Sequence, residues 1–159
     1  MMTRSLFLFS ALAAASASLA VAKPNFSGEW TVDVAKSDFG DMPAPGSMVM
    51  QIDHADPKIA VKQFQSGGPL GELKADLSFM TDGGETKNNV RGSAMVSSGK
   101  WSGDSLKINT KMAWDGNAVS IVETWKLTSG GKNLEIVRQI VNDQGASTMK
   151  LVFNKSDKK

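Results

Sequence analysis

Downstream of residue 22 the chain alternates apolar and polar residues with a period of two, in short runs broken by Gly, Asn and Asp. That period belongs to strands with one buried face, and no window keeps a helical period over three turns. The alternation predicts strands near 26–34, 47–54, 58–66, 72–80, 85–90, 93–101, 104–113, 118–127, 133–141 and 146–154. Between them lie the turns HADPK, SGGPLG, TDGG, SGD, DGN, TSGGK and NDQG, where Gly supplies positive φ and Asn or Asp tolerates it. The fifth strand, ETKNNV, carries the weakest pattern because it has hardly any apolar residues.

The second half also yields a register. With SGGK as a four-residue loop, Leu127 faces Leu134, Trp125 faces Ile136 and Ile121 faces Ile140. With NDQG as the next loop, Ile140 meets Ser147, Ile136 meets Leu151 and Leu134 meets Phe153. Upstream, the DG turn puts Leu106, Ile108, Met112 and Trp114 on the same face as Val119 and Ile121. Four strands thus share one apolar face, and a slip of one residue would turn the whole set outward. Lys107, Lys111, Ser120, Lys126, Glu135, Gln139 and Lys150 fall on the opposite, wetted face. In the first strand Phe26, Gly28, Trp30, Val32 and Val34 alternate with Ser27, Glu29, Thr31 and Asp33.

About ten strands with one apolar side must close or stack. Consecutive hairpins favour closure, so the expected fold is all-β: an antiparallel up-and-down barrel of about 8–10 strands. The likeness between KWSGDSLKI and AWDGNAVSI is a turn solution used twice, not a solenoid repeat.

The first 22 residues read differently. Arg4 is their only charge, and it precedes an apolar run ending in small residues at Ala20 and Ala22, the pattern of a cleaved secretory signal. The expected organisation is a signal peptide over 1–22 and one barrel domain over 23–159, located in the periplasm or secreted, with no integral membrane segment left after cleavage. The net charge of +2 includes Arg4 and is not clustered, which argues against nucleic acid. The absence of cysteine excludes a thiol nucleophile, cysteinyl zinc and lipidation through cysteine.

FSGEWTVDVAKSDF resembles the first strand of the calycins, the lipocalins and fatty-acid-binding proteins, whose barrels open with an aromatic residue followed by Gly-x-Trp. The matching positions are Phe26, Gly28 and Trp30, and the resemblance implies that they close one end of the barrel. In lipocalins the Trp packs beneath an Arg from late in the chain, and the sole Arg of the second half here is Arg138. Two features depart from the fatty-acid-binding branch. The connection AKSDFGDMPAPGS is too short and Pro-rich for a helical lid, and the chain has no Tyr for a ligand carboxylate.

Arg138 is in phase with Leu134, Ile136 and Ile140, and the register sets it against Glu123, itself in phase with Ile121 and Trp125. An opposite-charge pair therefore meets on the interior face. It serves either as a buried ion pair, with the guanidinium stacked on Trp30, or as the polar anchor of a ligand. Met48, Met50, Met95, Met112 and Met149 share that face, and flexible thioethers suit a cavity for varied apolar ligands. The candidate ligand residues are accordingly Arg138, Glu123, Trp125, Met50, Met112 and Met149. His54, the only histidine, falls at a strand end and is expected on the surface. One histidine without cysteine makes no metal set, no serine has an assignable base, and the acidic residues form no acid/base pair. No metal, cofactor or catalytic residue is assigned. Two readings remain: an exported barrel binding a small hydrophobic or amphipathic molecule inside, and a side-chain-filled barrel acting as a structural or protein-interaction module.

Overall fold

The computed structural model describes residues 22–157, so the expected leader lies outside the described residues apart from Ala22. Ten strands follow one another: β1 (Gly28–Val32), β2 (Ser47–Ala55), β3 (Lys58–Ser66), β4 (Leu73–Met80), β5 (Asp82–Val90), β6 (Ser93–Ser102), β7 (Ser105–Trp114), β8 (Asn117–Thr128), β9 (Asn133–Asn142) and β10 (Gly145–Lys155). Every strand pairs antiparallel with its neighbours in sequence except β4 with β5, and β1 pairs with β10. The result is an up-and-down barrel with one seam.

The registers of β7 to β10 are those the alternation requires. Leu127 pairs with Leu134, Trp125 with Ile136, and Ile140 with both Ile121 and Ser147. β7 and β8 are joined by two residues, Asp115 and Gly116, at φ 50° and 77°, the paired positive φ of the tightest hairpin turns. Trp114 is nonetheless 56% exposed, because it closes this turn at the rim rather than within the barrel.

Two strands differ from expectation. β1 ends at Val32, leaving Val34 exposed, because the chain leaves β10 after the bond from Asp33 N–H to Val152 C=O. Ser37 Oγ fills the break by accepting from Val152 N–H at 2.9 Å and donating to Asp33 C=O at 2.7 Å. The chain then rejoins β10 where Asp38 bridges Lys150, and Phe39 packs onto the core. β5 begins at Asp82 rather than 85, since the expected TDGG turn shrinks to Thr81 and the glycines enter an irregular start of the strand. Its apolar signal is thin because its inward residues include Thr86 and Asn88, beside Ser97 and Thr110. The hydroxyls of Ser97 and Thr110 bond each other at 2.7 Å, which makes their burial tolerable.

Side chains bridge the seam between β4 and β5. Asn88 accepts from Ser78 N–H at 2.8 Å and donates to Ser78 C=O at 3.0 Å, reproducing a backbone pair with an amide side chain. Thr86 Oγ1 donates to the same carbonyl at 2.7 Å. Near one end β4 leans onto β6: a Cβ built on Gly99 would lie 2.5 Å from Met80 C=O. Near the other, Arg91 Nη2 donates to the carbonyls of Leu70 and Glu72.

Gly99→Ala should lower stability by about 1–3 kcal/mol through that backbone clash, read from the denaturant midpoint. Asn88→Ala should cost about 1–3 kcal/mol by leaving the Ser78 N–H unpaired, while Thr86 still holds the carbonyl, and should accelerate amide exchange at Ser78 over that at Val61, inside the β2–β3–β4 ladders.

Candidate functional site

The barrel is filled from one end. At this floor Phe26 and Trp30 are fully buried among Ile59, Leu106, Leu134 and Phe153. Phe26 precedes β1, so its peptide has no ladder partner, and side chains satisfy it. Trp30 Nε1 donates to Phe26 C=O at 2.9 Å, and Phe26 N–H donates to His54 Nδ1 at 3.1 Å. Ser27 takes part as well: its hydroxyl accepts from His54 N–H at 2.9 Å and donates to His54 C=O at 3.2 Å.

His54 is therefore not a surface residue: it is 5% exposed and packs against Phe26 and Trp101 with centroids 5.6 and 6.0 Å away, those two rings being 5.8 Å from each other. Accepting at Nδ1 leaves the proton on Nε2, which lies 3.1 Å from Asp56 Oδ1. The same oxygen accepts from Thr81 Oγ1 at 2.7 Å and Trp101 Nε1 at 3.3 Å. This knot was concealed by the turn HADPK, although His54 is in phase with the inward Met48, Met50 and Ile52. Its hydrogen-bonding groups are spent on holding Phe26.

Trp30 does have a cation over its ring, but not Arg138. Lys155 supplies it, with Nζ 5.5 Å from the ring centroid, because Lys155 is the β10 partner of Trp30. Gly28 takes φ 140°, and a Cβ there would meet the Lys155 side chain at 3.0 Å, so glycine gives this lysine its path.

Arg138 lies deeper along β9, where its register partner is Glu123. Nε donates to Glu123 Oε1 at 3.0 Å and Nη2 is 3.0 Å from the same oxygen. Glu123 Oε2 accepts from Trp125 Nε1 at 2.7 Å. The side chains are 25% and 16% exposed, so the pair is only partly withdrawn from water. Beside it lies an enclosed space of about 20 Å³, room for one water. Of the six candidate ligand residues, Arg138, Glu123, Trp125 and Met50 line this space, together with Met48, whereas Met112 and Met149 do not.

Above the pair the burial pattern changes. Toward the floor Phe26, Trp30, Leu106, Leu134 and Phe153 are buried and Trp101 and Leu127 half-buried; toward the mouth Leu73, Met95, Met112, Ile121 and Ile140 are half-buried beside the buried Met48, so water reaches part of this wall. The barrel is a plugged cup with an apolar wall and an ion pair at its base. A larger concavity of about 1070 Å³ curves over the outer faces of β1–β4, past Glu29, Gln51, Asp53, Lys62 and Asp76. It is broad and open, mixes charged side chains with apolar surface, and lies on the far side of the sheet from the ion pair.

The Thr81 hydroxyl first, then His54 and Trp101, hold the Asp56 carboxyl below its ordinary value of 3.8. A lowered folded value means that this contribution to stability is complete above the unfolded value and is lost as pH falls through the folded one. The unfolding midpoint should therefore drop below about pH 4, and less steeply in Asp56→Asn, measured by denaturation between about pH 6 and about pH 3. Asp33, lowered chiefly by the Asn154 side chain, contributes in the same window to both proteins and cancels in the comparison.

No protein-family model matches the sequence, and no curated protein is similar to it in sequence. Solved structures are similar in shape. A secretory abundant heat soluble protein from Ramazzottius varieornatus matches with a TM-score of 0.62 at 15% identity, over 82% of this chain and 94% of that one. Zebrafish ileal bile acid-binding protein, complexed with cholic acid, matches at 0.56 and 13% identity, over 82% and 98%. Fatty-acid-binding protein 1 of Echinococcus granulosus matches at 0.51 and 12% identity, over 83% and 98%. With ten antiparallel strands in sequential order around one nearly closed barrel, the chain has the calycin-like fold of the fatty-acid-binding-protein type.

Proposed function

We propose that the protein is an exported binder of a small hydrophobic or amphipathic molecule, held in the mouth half of the barrel above Arg138 and Glu123. One observation carries this reading: a partly exposed ion pair at the base of a half-buried apolar wall, while the floor beneath is sealed. A side-chain-filled barrel has no need of solvent-reachable apolar residues on its inner face. The similar zebrafish structure holds cholic acid, and the Echinococcus protein is named for fatty acids. Export rests on the pattern of residues 1–22, and two of the similar structures are of secretory proteins.

The mechanism is desolvation. A ligand exchanges water on Met112, Ile121 and Ile140 for its own apolar surface, at about 25 cal/mol per Å² buried. Binding pockets usually enclose about 300–1,000 Å³, far above the enclosed space here, so the ligand uses the open half and displaces methionine side chains. Its polar end reaches the ion pair. No step of bond making is assigned to any residue.

The small enclosed volume favours a second reading, a filled barrel that presents its outer surface to a protein partner. An environment-sensitive apolar fluorophore separates the two. Binding to the wild type, weakened at least tenfold by Ile121→Trp with an unchanged unfolding midpoint, is the expected result. No binding of the fluorophore, and no small molecule retained in native mass spectrometry after purification from an exporting host, would leave the module.

A further inference from the structure

We infer that the bound molecule is uncharged and carries a hydrogen-bond acceptor, as an alkyl ester, ketone or alcohol does, and that Glu123 excludes anions. The inference rests on the interior binding proposed above and names its ligand class.

The donor and acceptor inventory of the pair is lopsided. Both oxygens of Glu123 are engaged, Oε1 by Arg138 and Oε2 by Trp125. Arg138 carries five N–H donors, and its Nη1 has no hydrogen-bond partner among the described residues. No side-chain nitrogen or oxygen there is both buried and unpartnered, so Nη1 is open to solvent from the cup. At the base of the cup Arg138 Nη1 is thus a free cationic donor, while Glu123 Oε2 keeps one lone pair and the half-buried Gln63 amide lies alongside. A ligand oxygen that accepts is recognised by the guanidinium.

Charge then selects among acceptors. Arg138 and Glu123 are the only charged side chains at inward-facing strand positions of the mouth half among the described residues, so their sum is zero. A carboxylate at Nη1 would approach Glu123 without a second cation to offset the repulsion. Drawing Arg138 off toward the ligand would leave Glu123, 16% exposed, with only the Trp125 indole. A neutral carbonyl or hydroxyl meets neither obstacle, since it accepts from Nη1 while the ion pair stays intact. Of the remaining interior polar groups, Ser97 and Thr110 satisfy each other and Asn88 is committed to Ser78, while the Gln63 amide lining the space is uncharged and gives an anion no cation to pair with.

The test is a competition series against the bound fluorophore, using dodecanoic acid as its anion, methyl dodecanoate and dodecan-1-ol at neutral pH. The wild type should bind the ester and the alcohol at least tenfold more tightly than the acid. Glu123→Gln, which keeps the shape and removes the charge, should raise affinity for the acid at least tenfold and leave the ester within about threefold. Equal or tighter binding of the acid by the wild type overturns the inference while leaving interior binding standing. An ester preference unchanged in Glu123→Gln overturns the role of that residue. No displacement by any member overturns this inference, and only a fluorophore that does not itself bind overturns the interior reading as well. The wild-type ratio decides the ligand class even where Glu123→Gln does not fold.

Discussion

The peptide of Phe26 governs how this barrel is built. The ring belongs in the floor, where it is completely buried, but the residue precedes the first ladder and brings an N–H and a C=O with it. Buried peptide groups without partners cost about 1–3 kcal/mol each. Trp30 satisfies one group and His54 the other, and their own remaining needs recruit Asp56, Thr81 and Trp101. The first turn of the chain is thereby tied to β2, to β6 and to the β4–β5 junction, so the end of the barrel is sealed by polar bonds inside an aromatic stack.

Sealing one end gives the interior its direction. Side chains near the floor interlock, while the same alternation carried toward the mouth leaves residues that water reaches. The Arg138–Glu123 pair occupies the boundary, where a charge pair retains enough solvent to lower its desolvation cost and enough confinement to keep its geometry. Asn88 works on the same principle at the seam. Where two strands separate, a side-chain amide supplies the donor and acceptor that a neighbouring backbone would have given.

Much of this was legible along the chain. The inward phase of Leu134, Ile136, Arg138 and Ile140 places the guanidinium opposite Glu123, because a two-residue period and short turns leave one register that buries the apolar set. His54 reads as a surface residue from its turn although its phase points inward, and β5 is faint because its inner face is polar. Arg138, the sole arginine of the second half, is one candidate cation for Trp30 in the sequence. The cation over that ring is Lys155, whose place comes from β10 closing onto β1, a pairing between distant parts of the chain.

By itself, then, the sequence determined the strands, their inward faces, the hairpin registers of the second half and the meeting of Arg138 with Glu123. These follow from alternation and turn chemistry, which act over a few residues. Tertiary structure alone decided how Phe26 is satisfied, which cation covers Trp30, where the ring stays open between β4 and β5, and how little space the floor leaves beneath the ion pair. Those outcomes depend on which side chains arrive together when the barrel closes, and closure brings into contact residues that no local pattern relates.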